Sequence, residues 1–310
     1  MIEFQRLILG DRVRNEAFAK ALARTIVRGK TTVADLGAGT GFLSFLASRL
    51  GAKRCFLYEV SELLDLSREL AKRNGLKNLA FVRAHSTEVA KPPKVDVVIS
   101  ETLGNFALEE NALETLQDGR RFLKPGGVMI PHKLRQFVAP VASPRLAAAI
   151  DVWGSIGHGL DYSQARAVSL QNVFVRTVRR DDLLATPDAA QVWDAVDFRR
   201  DTESVRSSTV EWIFAEPAAI HGFALWWECD VVDGVTLSTA PDAPPTHWEQ
   251  VFLPPLVPFR LKSGDRLRLA LEVDSRPEVK INLRWRSTVV DPRGRIRAEA
   301  TQDMCEGHLE

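Results

Sequence analysis

Val33-Ala34-Asp35-Leu36-Gly37-Ala38-Gly39-Thr40-Gly41 is the stretch that decides the fold. Apolar residues lead into one acid, and glycines then stand at every second position. An amphipathic run, Phe42-Leu43-Ser44-Phe45-Leu46-Ala47-Ser48-Arg49-Leu50, follows at helical spacing. The pattern predicts a strand, a tight turn and a helix. Glycine lets the chain bend sharply there and lets a ligand approach the main chain closely. A second apolar run, Cys55-Phe56-Leu57-Tyr58, ends in Glu59. An acid about twenty residues past such a turn suits bidentate hydrogen bonding to ribose hydroxyls.

The glycine spacing narrows the nucleotide. A dinucleotide fingerprint needs its third glycine three places after the second. Phe42 stands there, and the glycine comes one place early, at Gly41. The turn does not end in Gly-Lys-Ser/Thr, so it is not a phosphate loop. A turn without phosphate-gripping features fits a cofactor with a ribose and no phosphate. S-adenosylmethionine is such a cofactor, and the stretch resembles motif I of the Rossmann-like methyltransferases.

Composition sets outer limits. The 310 residues can form one large domain or two ordinary ones. A balance of 41 basic and 40 acidic residues argues against a dedicated nucleic-acid binder. Cys55, Cys229 and Cys305 lie far apart and form no metal-ligand spacing, so no metal is expected. A reducing, cytoplasmic setting is the simplest expectation. No apolar run reaches the length of roughly 18 residues that suggests a membrane span, and the N-terminus lacks a signal-peptide core. The final Leu309-Glu310 reads as a remnant of cloning.

Taken in order, residues 2–28 carry a helical apolar stripe: Phe4, Leu7, Ile8, Val13, Phe18, Leu22 and Ile26. Gly10-Asp11 should divide it into two helices, with Asp11 and Arg14 on one face. Residues 31–131 then alternate strand and helix, the rhythm of a doubly wound parallel sheet. Strands are expected near 32–36, 54–59, 79–83, 95–100 and 127–131, with Lys124-Pro125-Gly126-Gly127 as a turn before the last. Gly37, Glu59, His85 to Thr87 and Glu101 fall at the carboxyl ends of strands, where such sheets bind ligands. Beyond 132 come short alternating runs separated by Pro and Gly, which predict an antiparallel β domain. Residues 145–168 interrupt it with a partly helical insert. Trp153, Ile156, Leu160 and Tyr162 would make that insert adhesive if it projects.

The fourth strand ends in Glu101, and Glu110 follows nine residues later across a glycine-containing loop. Two carboxylates at the feet of one loop need a cation between them, or one must stay protonated. A guanidinium is planar, always charged and carries five donors in a fork, so two carboxylates could hold it from two sides. Glu109, one residue off register, reads as a bystander in the first turn of a helix. Thr246-His247-Trp248 lies after a Pro-rich loop and decides nothing alone.

Together the pieces resemble the protein arginine methyltransferases. Ser100-Glu101 through Glu110 is similar to that family's double-glutamate loop, and Thr246-His247-Trp248 to its THW loop. Leu237-Ser238-Thr239-Ala240-Pro241 resembles the lead-in to the THW loop. Asp11-Arg12-Val13-Arg14 resembles the DxxR of the family's N-terminal helix, and Gly159-Leu160-Asp161-Tyr162-Ser163 part of its dimerisation arm. The resemblance covers nearly the whole chain. It implies an α/β, Rossmann-like, doubly wound methyltransferase domain with N-terminal helices over 1–131. An antiparallel β-barrel substrate domain follows over 132–308, with the dimerisation arm near 145–168.

The resemblance also implies roles. Arg14 would bind the cofactor carboxylate, Asp35, Gly37 and Gly39 would shape its pocket, and Glu59 would hold the ribose. Ser86 and Thr87 would meet the adenine. Glu101 and Glu110 would clamp the substrate guanidinium, and neither is assigned to the cofactor. His247 would pair with Asp11, and Trp248 would line the substrate pocket. The implied function is S-adenosylmethionine-dependent methylation of a guanidino nitrogen, most simply arginine in a protein, by a homodimer without membrane attachment. Two features differ from the family pattern. Thr102, Leu103 and Asn105 stand where asymmetric-dimethylating members carry large residues, and the family's aromatic lid helix is not expected. A small-molecule methyltransferase of the same fold and a non-catalytic cofactor-binding scaffold therefore stay open at this level.

Overall fold

The computed structural model describes residues 2–308; Met1 and the Leu309-Glu310 pair lie outside them. Ile2–Gly10 (α1) and Arg12–Thr25 (α2) divide at Gly10-Asp11 as the sequence predicts. Asp11 is the N-cap of α2, its side chain accepting from the Arg14 N–H. α2 buries Arg14, Ala17, Phe18, Ala21 and Leu22, whereas α1 buries nothing.

Next come Thr32–Leu36 (β1), Phe42–Arg49 (α3), Arg54–Tyr58 (β2), Leu63–Arg73 (α4), Leu79–Val82 (β3), Val95–Ile99 (β4), Ala112–Gly119 (α5) and Leu123–Ile130 (β5). The strands form a parallel sheet in the order β3-β2-β1-β4-β5. Strand order reverses at β1, so a crevice opens beyond its carboxyl end. The turn there places Gly37, Gly39 and Gly41 at φ of 75°, 53° and 86°, conformations that side chains resist. Lys124-Pro125-Gly126-Gly127 does not precede the last strand but bulges from within it. Leu123 pairs with Val95 and Val128 with Val97, so pairing resumes beyond the bulge.

The second half is antiparallel. Its elements are Lys133–Val141 (β6), Arg145–Ile150 (α6), Ser163–Ser169 (α7), Phe174–Arg176 (β7), Gln191–Asp197 (β8), Val205–Ile213 (β9) and Ala218–Ile220 (β10). Gly222–Val232 (β11), Val235–Ser238 (β12), Gln250–Leu253 (β13), Phe259–Leu261 (β14), Arg266–Asp274 (β15), Asn282–Val290 (β16) and Ile296–Asp303 (β17) complete it. Two sheets dominate, β7-β13-β11-β6-β8 and β17-β16-β15-β9. Alternate residues face inwards; in β15, Leu267, Leu269, Leu271 and Val273 are buried between exposed or half-buried neighbours. These meet Trp193, Trp212, Phe223 and Trp285 in one core.

That core also takes Ile99, Leu103, Phe106 and Leu113 from the first half. Each large side chain so buried contributes roughly 1.5–3 kcal/mol. The two halves therefore meet along the loop that follows β4, and that loop is fixed from both sides. The insert between β6 and β7 comprises α6, a turn at Trp153–Ser155 and α7. Trp153 stacks on Tyr162 with centroids 6.4 Å apart. No described helix is long and apolar enough to cross a membrane.

Candidate active site

The crevice at the end of β1 is lined by carboxylates and glycines. Asp35 Oδ2 accepts from Ser44 Oγ at 2.7 Å and from the Ser44 N–H at 3.2 Å, which ties the strand to the start of α3. Burial pushes the Asp35 pKa up to about 6, although the Ser44 hydrogen bonds and the Arg14 charge act against it. Glu59, just past β2, closes the glycine turn. Its Oε2 accepts from the Gly39 N–H at 3.0 Å and its Oε1 from the Ser61 N–H at 2.8 Å. Each oxygen keeps a lone pair for a further donor, as ribose hydroxyls require. Ser86, after β3, is buried and its Oγ has no partner among the described residues. Thr87 is exposed and bonds His85 Nδ1 at 2.8 Å.

α1 crosses this crevice. Gln5 Oε1 lies 3.4 Å from Thr40 N and 3.3 Å from Thr40 Oγ1, and a Cβ on Gly39 would stand 3.0 Å from that oxygen. The hollow under Gln5, Ile8 and Leu9 holds only about 50 Å³. Ligand pockets usually hold roughly 300–1,000 Å³, so this hollow alone does not hold a nucleoside-sized ligand with α1 where it stands. The residues fit S-adenosylmethionine: a glycine turn, a ribose acid with free lone pairs, an orphaned buried hydroxyl and a nearby arginine. The crevice thus has a helix over it that the sequence reading did not expect.

The loop after β4 supplies the second half of the site. Arg14 donates from Nε to Glu101 Oε2 at 2.6 Å, and Nη2 pairs with the same oxygen; the side chains are 6% and 5% exposed. Glu101 Oε1 also accepts from the Leu103 N–H at 3.3 Å. Glu110 is exposed at the mouth and makes no hydrogen bond through its side chain among the described residues. Partial withdrawal from water and then the charge of Glu101 raise its pKa. Glu110 and Asn111 both take left-handed backbone angles, φ 57° and 55°. Asn tolerates that region, but Glu rarely enters it, so the chain holds Glu110 in this turn at some cost.

Glu109 turns inward. Its Oε2 accepts from the Phe106 N–H at 3.3 Å, and a Cβ on Gly104 would lie 2.1 Å from that oxygen. Burial, moderated by the Phe106 hydrogen bond, raises its pKa. The antiparallel half grips the same loop. Trp248 Nε1 donates to Leu103 O at 2.7 Å, Trp227 Nε1 to Gly104 O at 3.1 Å, and the Glu249 N–H to Asn105 Oδ1 at 2.9 Å. Trp248 is 4% exposed and stands behind the loop. His247, beside it, meets Asp11 through its backbone N–H and through Nδ1.

The fold thus gathers Asp11, Arg14, Asp35, Gly37, Gly39, Glu59, Glu101, Glu110 and His247 at one edge, with Ser86 at the rim and Thr87 facing solvent. The sequence does not single out Gln5 or Trp227, the hold of Glu249 on Asn105, or the inward role of Glu109. Only Trp227 carried a signal, since a buried indole N–H needs a partner.

Comparison with known proteins agrees with this geometry. Residues 133–288 match the family model described as the arginine methyltransferase oligomerization subdomain, and residues 28–155 match a methyltransferase domain. A probable protein arginine N-methyltransferase 6.1 of Oryza sativa subsp. indica is 29% identical over 316 residues, spanning 89% of this chain and 82% of that one. The histone-arginine methyltransferase CARMER of Drosophila ananassae is 29% identical over 303 residues, spanning 92% of this chain and 57% of its own. The fold matches protein arginine methyltransferase 10 of Arabidopsis thaliana with a TM-score of 0.80 at 24% identity, covering 98% of each chain. It matches the Trypanosoma brucei PRMT1 enzyme-prozyme complex with AdoHcy at 0.83 and 24% identity, covering 97% of this chain and 96% of that one.

Proposed function

The chain belongs to the protein arginine methyltransferase family, and from that premise we propose that Glu101 and Glu110 hold the guanidinium of an arginine side chain in a protein. The enzyme is an S-adenosylmethionine-dependent methyltransferase, and the cofactor when bound supplies an electrophilic sulfonium methyl. Glu59 would hold its ribose, Arg14 its carboxylate, and Ser86 and Thr87 its adenine edge. Asp35, Gly37 and Gly39 would shape the floor. One observation carries the substrate reading. Glu101 is charge-matched by Arg14, while Glu110 faces the mouth with no side-chain hydrogen-bond partner among the described residues. A carboxylate held beside another carboxylate calls for a cation, and a guanidinium's fork can bridge both. Alignment and charge placement then supply most of the rate.

His247 and Asp11 order the site where the two halves meet, and Trp248 supports the loop from behind. The insert at 145–168 would bind a second copy of the chain, giving a homodimer. Cys55 and Cys229 are free and buried and Cys305 is free and exposed, which supports a reducing, cytoplasmic setting. The test is transfer of a radiolabelled methyl group into lysate proteins and into free guanidino compounds. Label on protein arginines is the expected result. Label confined to small guanidino compounds would overturn the protein substrate and keep the chemistry.

A further inference from the structure

The parallel sheet is electrically polarised from end to end. Asp35, Glu59, Glu101 and Glu110 stand at the carboxyl ends of the strands. At the opposite end, five connections feed the strands: 26–31, 50–53, 74–78, 89–94 and 120–122. Each contains at least one Lys or Arg, and none contains an Asp or Glu. In sheet order the edge reads Lys77, Lys53, Lys30, Lys94 and Lys124. Neighbouring strands lie roughly 4.8 Å apart, so the row is about 20 Å long.

Most of this charge is uncommitted. Among the described residues the lysine ion pairs are Lys20–Glu16 and Lys124–Asp96. Lys30, Lys53, Lys77 and Lys94 are exposed and have none; Lys94 Nζ reaches only Arg121 O, at 2.7 Å. Cations in the last turn of a helix offset its dipole, and Arg24, Arg49 and Lys72 do that. The row lysines lie beyond the helix ends at Ile26, Leu50 and Asn74, so the dipole does not explain them. At one end the row opens into a hollow of about 500 Å³ between Lys94, Lys124, the Pro125-Gly126-Gly127 bulge and Arg199. Acids beside it are Asp96, held by Lys124, and Asp197 and Asp201, whose charges act on Arg120, with Asp197 also 3.9 Å from Arg200.

We propose that this edge, remote from the reaction, docks an acid-rich peptide segment of a protein partner. Charge complementarity carries the choice of an anion. The kind of anion follows from what the edge lacks. Single-stranded nucleic acid is held by aromatic stacking as well as charge, and no Trp or Tyr occurs in the five connections. Guanidinium forks suit phosphate best. The fork of Arg120 at the hollow is spent on Phe198 O at 2.8 and 3.0 Å, and Arg121 on Asp118, Val89 O and Ser86 O. Among the described residues the forks of Arg28, Arg54 and Arg199 stay open, but Lys30, Lys53, Lys77, Lys91 and Lys94 outnumber them along the row, and ammonium groups take carboxylates without demanding planarity. The acidic mouth would repel the same segment, so it meets the enzyme at one end only.

The test is fluorescence anisotropy of a labelled poly-glutamate peptide at low salt, with poly-lysine and single-stranded RNA of equal length beside it. The variant combines Lys30→Gln, Lys53→Gln, Lys77→Gln and Lys94→Gln. A control neutralises Lys20, Lys262, Lys280 and Arg293, which lie off the row. Poly-glutamate should bind the wild type and the control alike. The row variant should bind about thirtyfold more weakly, at a few-fold per exposed charge pair. S-adenosylmethionine binding by the row variant should be unchanged, which shows that it folds. No poly-glutamate binding, or equal binding by the row variant, would remove the proposal. RNA binding without poly-glutamate binding would assign the edge to nucleic acid and overturn it.

Discussion

Asp11 Oδ2 accepts two hydrogen bonds from His247, one from the backbone N–H and one from Nδ1, each at 2.8 Å. Its Oδ1 accepts from the Arg14 N–H at 2.9 Å. The residue that caps the second helix thereby fixes a residue of the antiparallel half. Burial opposes its charge, but the Arg14 and His247 hydrogen bonds outweigh burial and hold its pKa below the usual carboxylate range. An ionised carboxylate only accepts, so Nδ1 carries a proton and a neutral His247 keeps its lone pair on Nε2. Asp11→Asn should cost roughly 2 kcal/mol of stability, as lost charge-assisted hydrogen bonds do. A depressed folded pKa gives stability that is present above the unfolded value near 3.9 and lost as pH falls through the folded one. Denaturant unfolding at descending pH should therefore show the gap between variant and parent closing in acid. A gap constant with pH would mean a steric effect.

The buried Arg14–Glu101 pair joins two functions that the sequence assigned separately. Removing the Glu101 charge leaves Arg14 unmatched in a site with 6% exposure. Breaking such a pair costs roughly 3–5 kcal/mol of stability. A bound substrate guanidinium would also lose one of its two carboxylates, and a loss of that same order in the transition state is about a hundredfold to a few thousandfold in kcat/KM. The freed Arg14 guanidinium should then bind a carboxylate-bearing cofactor more tightly. Calorimetry should show Glu101→Gln with raised affinity for S-adenosylmethionine and for its demethylated product. Glu110→Gln should lose turnover with cofactor affinity unchanged. Equal affinity in both variants and the parent would separate Arg14 from the cofactor.

Glu109 and Glu110 are adjacent and should behave oppositely. Glu109 serves the loop through an acceptor oxygen, and burial already favours its neutral form. Glu109→Gln keeps an acceptor and should be nearly silent. Glu109→Ala leaves the Phe106 N–H without its partner, a loss of roughly 1–3 kcal/mol. Glu110 serves through charge, so Glu110→Gln should fail where Glu109→Gln succeeds. Steady-state kinetics on one acceptor decides the matter; the reverse order would shift the substrate clamp by one residue.

The insert leaves Val152, Leu160 and Tyr162 exposed by 54%, 61% and 39%. Covering side chains of this kind is worth roughly 1.5–3 kcal/mol each. The parent should sediment at twice the chain mass at micromolar concentration. Leu160→Asp with Tyr162→Ser should sediment as a monomer, since losing two such anchors weakens association by about two to four decades. A parent that sediments as a monomer would withdraw the dimer.

The parallel half was legible because its strands are apolar runs at a regular spacing, and β1, β2 and β4 carry their own punctuation: a glycine turn after β1, Glu59 after β2 and Glu101 after β4. β8 and β17 were not, because Gln191, Asp194, Glu299 and Thr301 dilute the alternation and their pairing partners lie elsewhere in the chain. The carboxylates of the site could be named from spacing, but not what each one touches. Trp227 holds Gly104 across 123 residues of chain, a contact that only the packed core defines. Gln5 was one of three polar residues in α1, with Glu3 and Arg6, and nothing local said that the helix lies over the crevice.

Asp35 gives the site a pH dependence of unusual sign. It is 2% exposed, and burial lifts its pKa to about 6 against the partial relief of Ser44. The folded protein therefore binds this proton more readily than the unfolded chain, whose value is near 3.9. By linkage, stability falls as pH rises from about 4 to about 6 and stays lower above that. A shift of this size corresponds to about 3 kcal/mol. Asp35→Asn keeps an oxygen for Ser44 and removes the charge, so it should unfold at a higher temperature than the parent above pH ~6 and match it near pH ~4. Cofactor binding should move the other way. Asp35 lines the crevice, and the cationic sulfonium and ammonium groups of S-adenosylmethionine favour the ionised form. The parent's affinity should therefore rise between about pH 5 and 7, while that of Asp35→Asn should be lower and flat. Calorimetry across this range reads both proteins. A parent whose affinity is independent of pH would mean that Asp35 is ionised throughout, and the predicted gain in stability would fall with it.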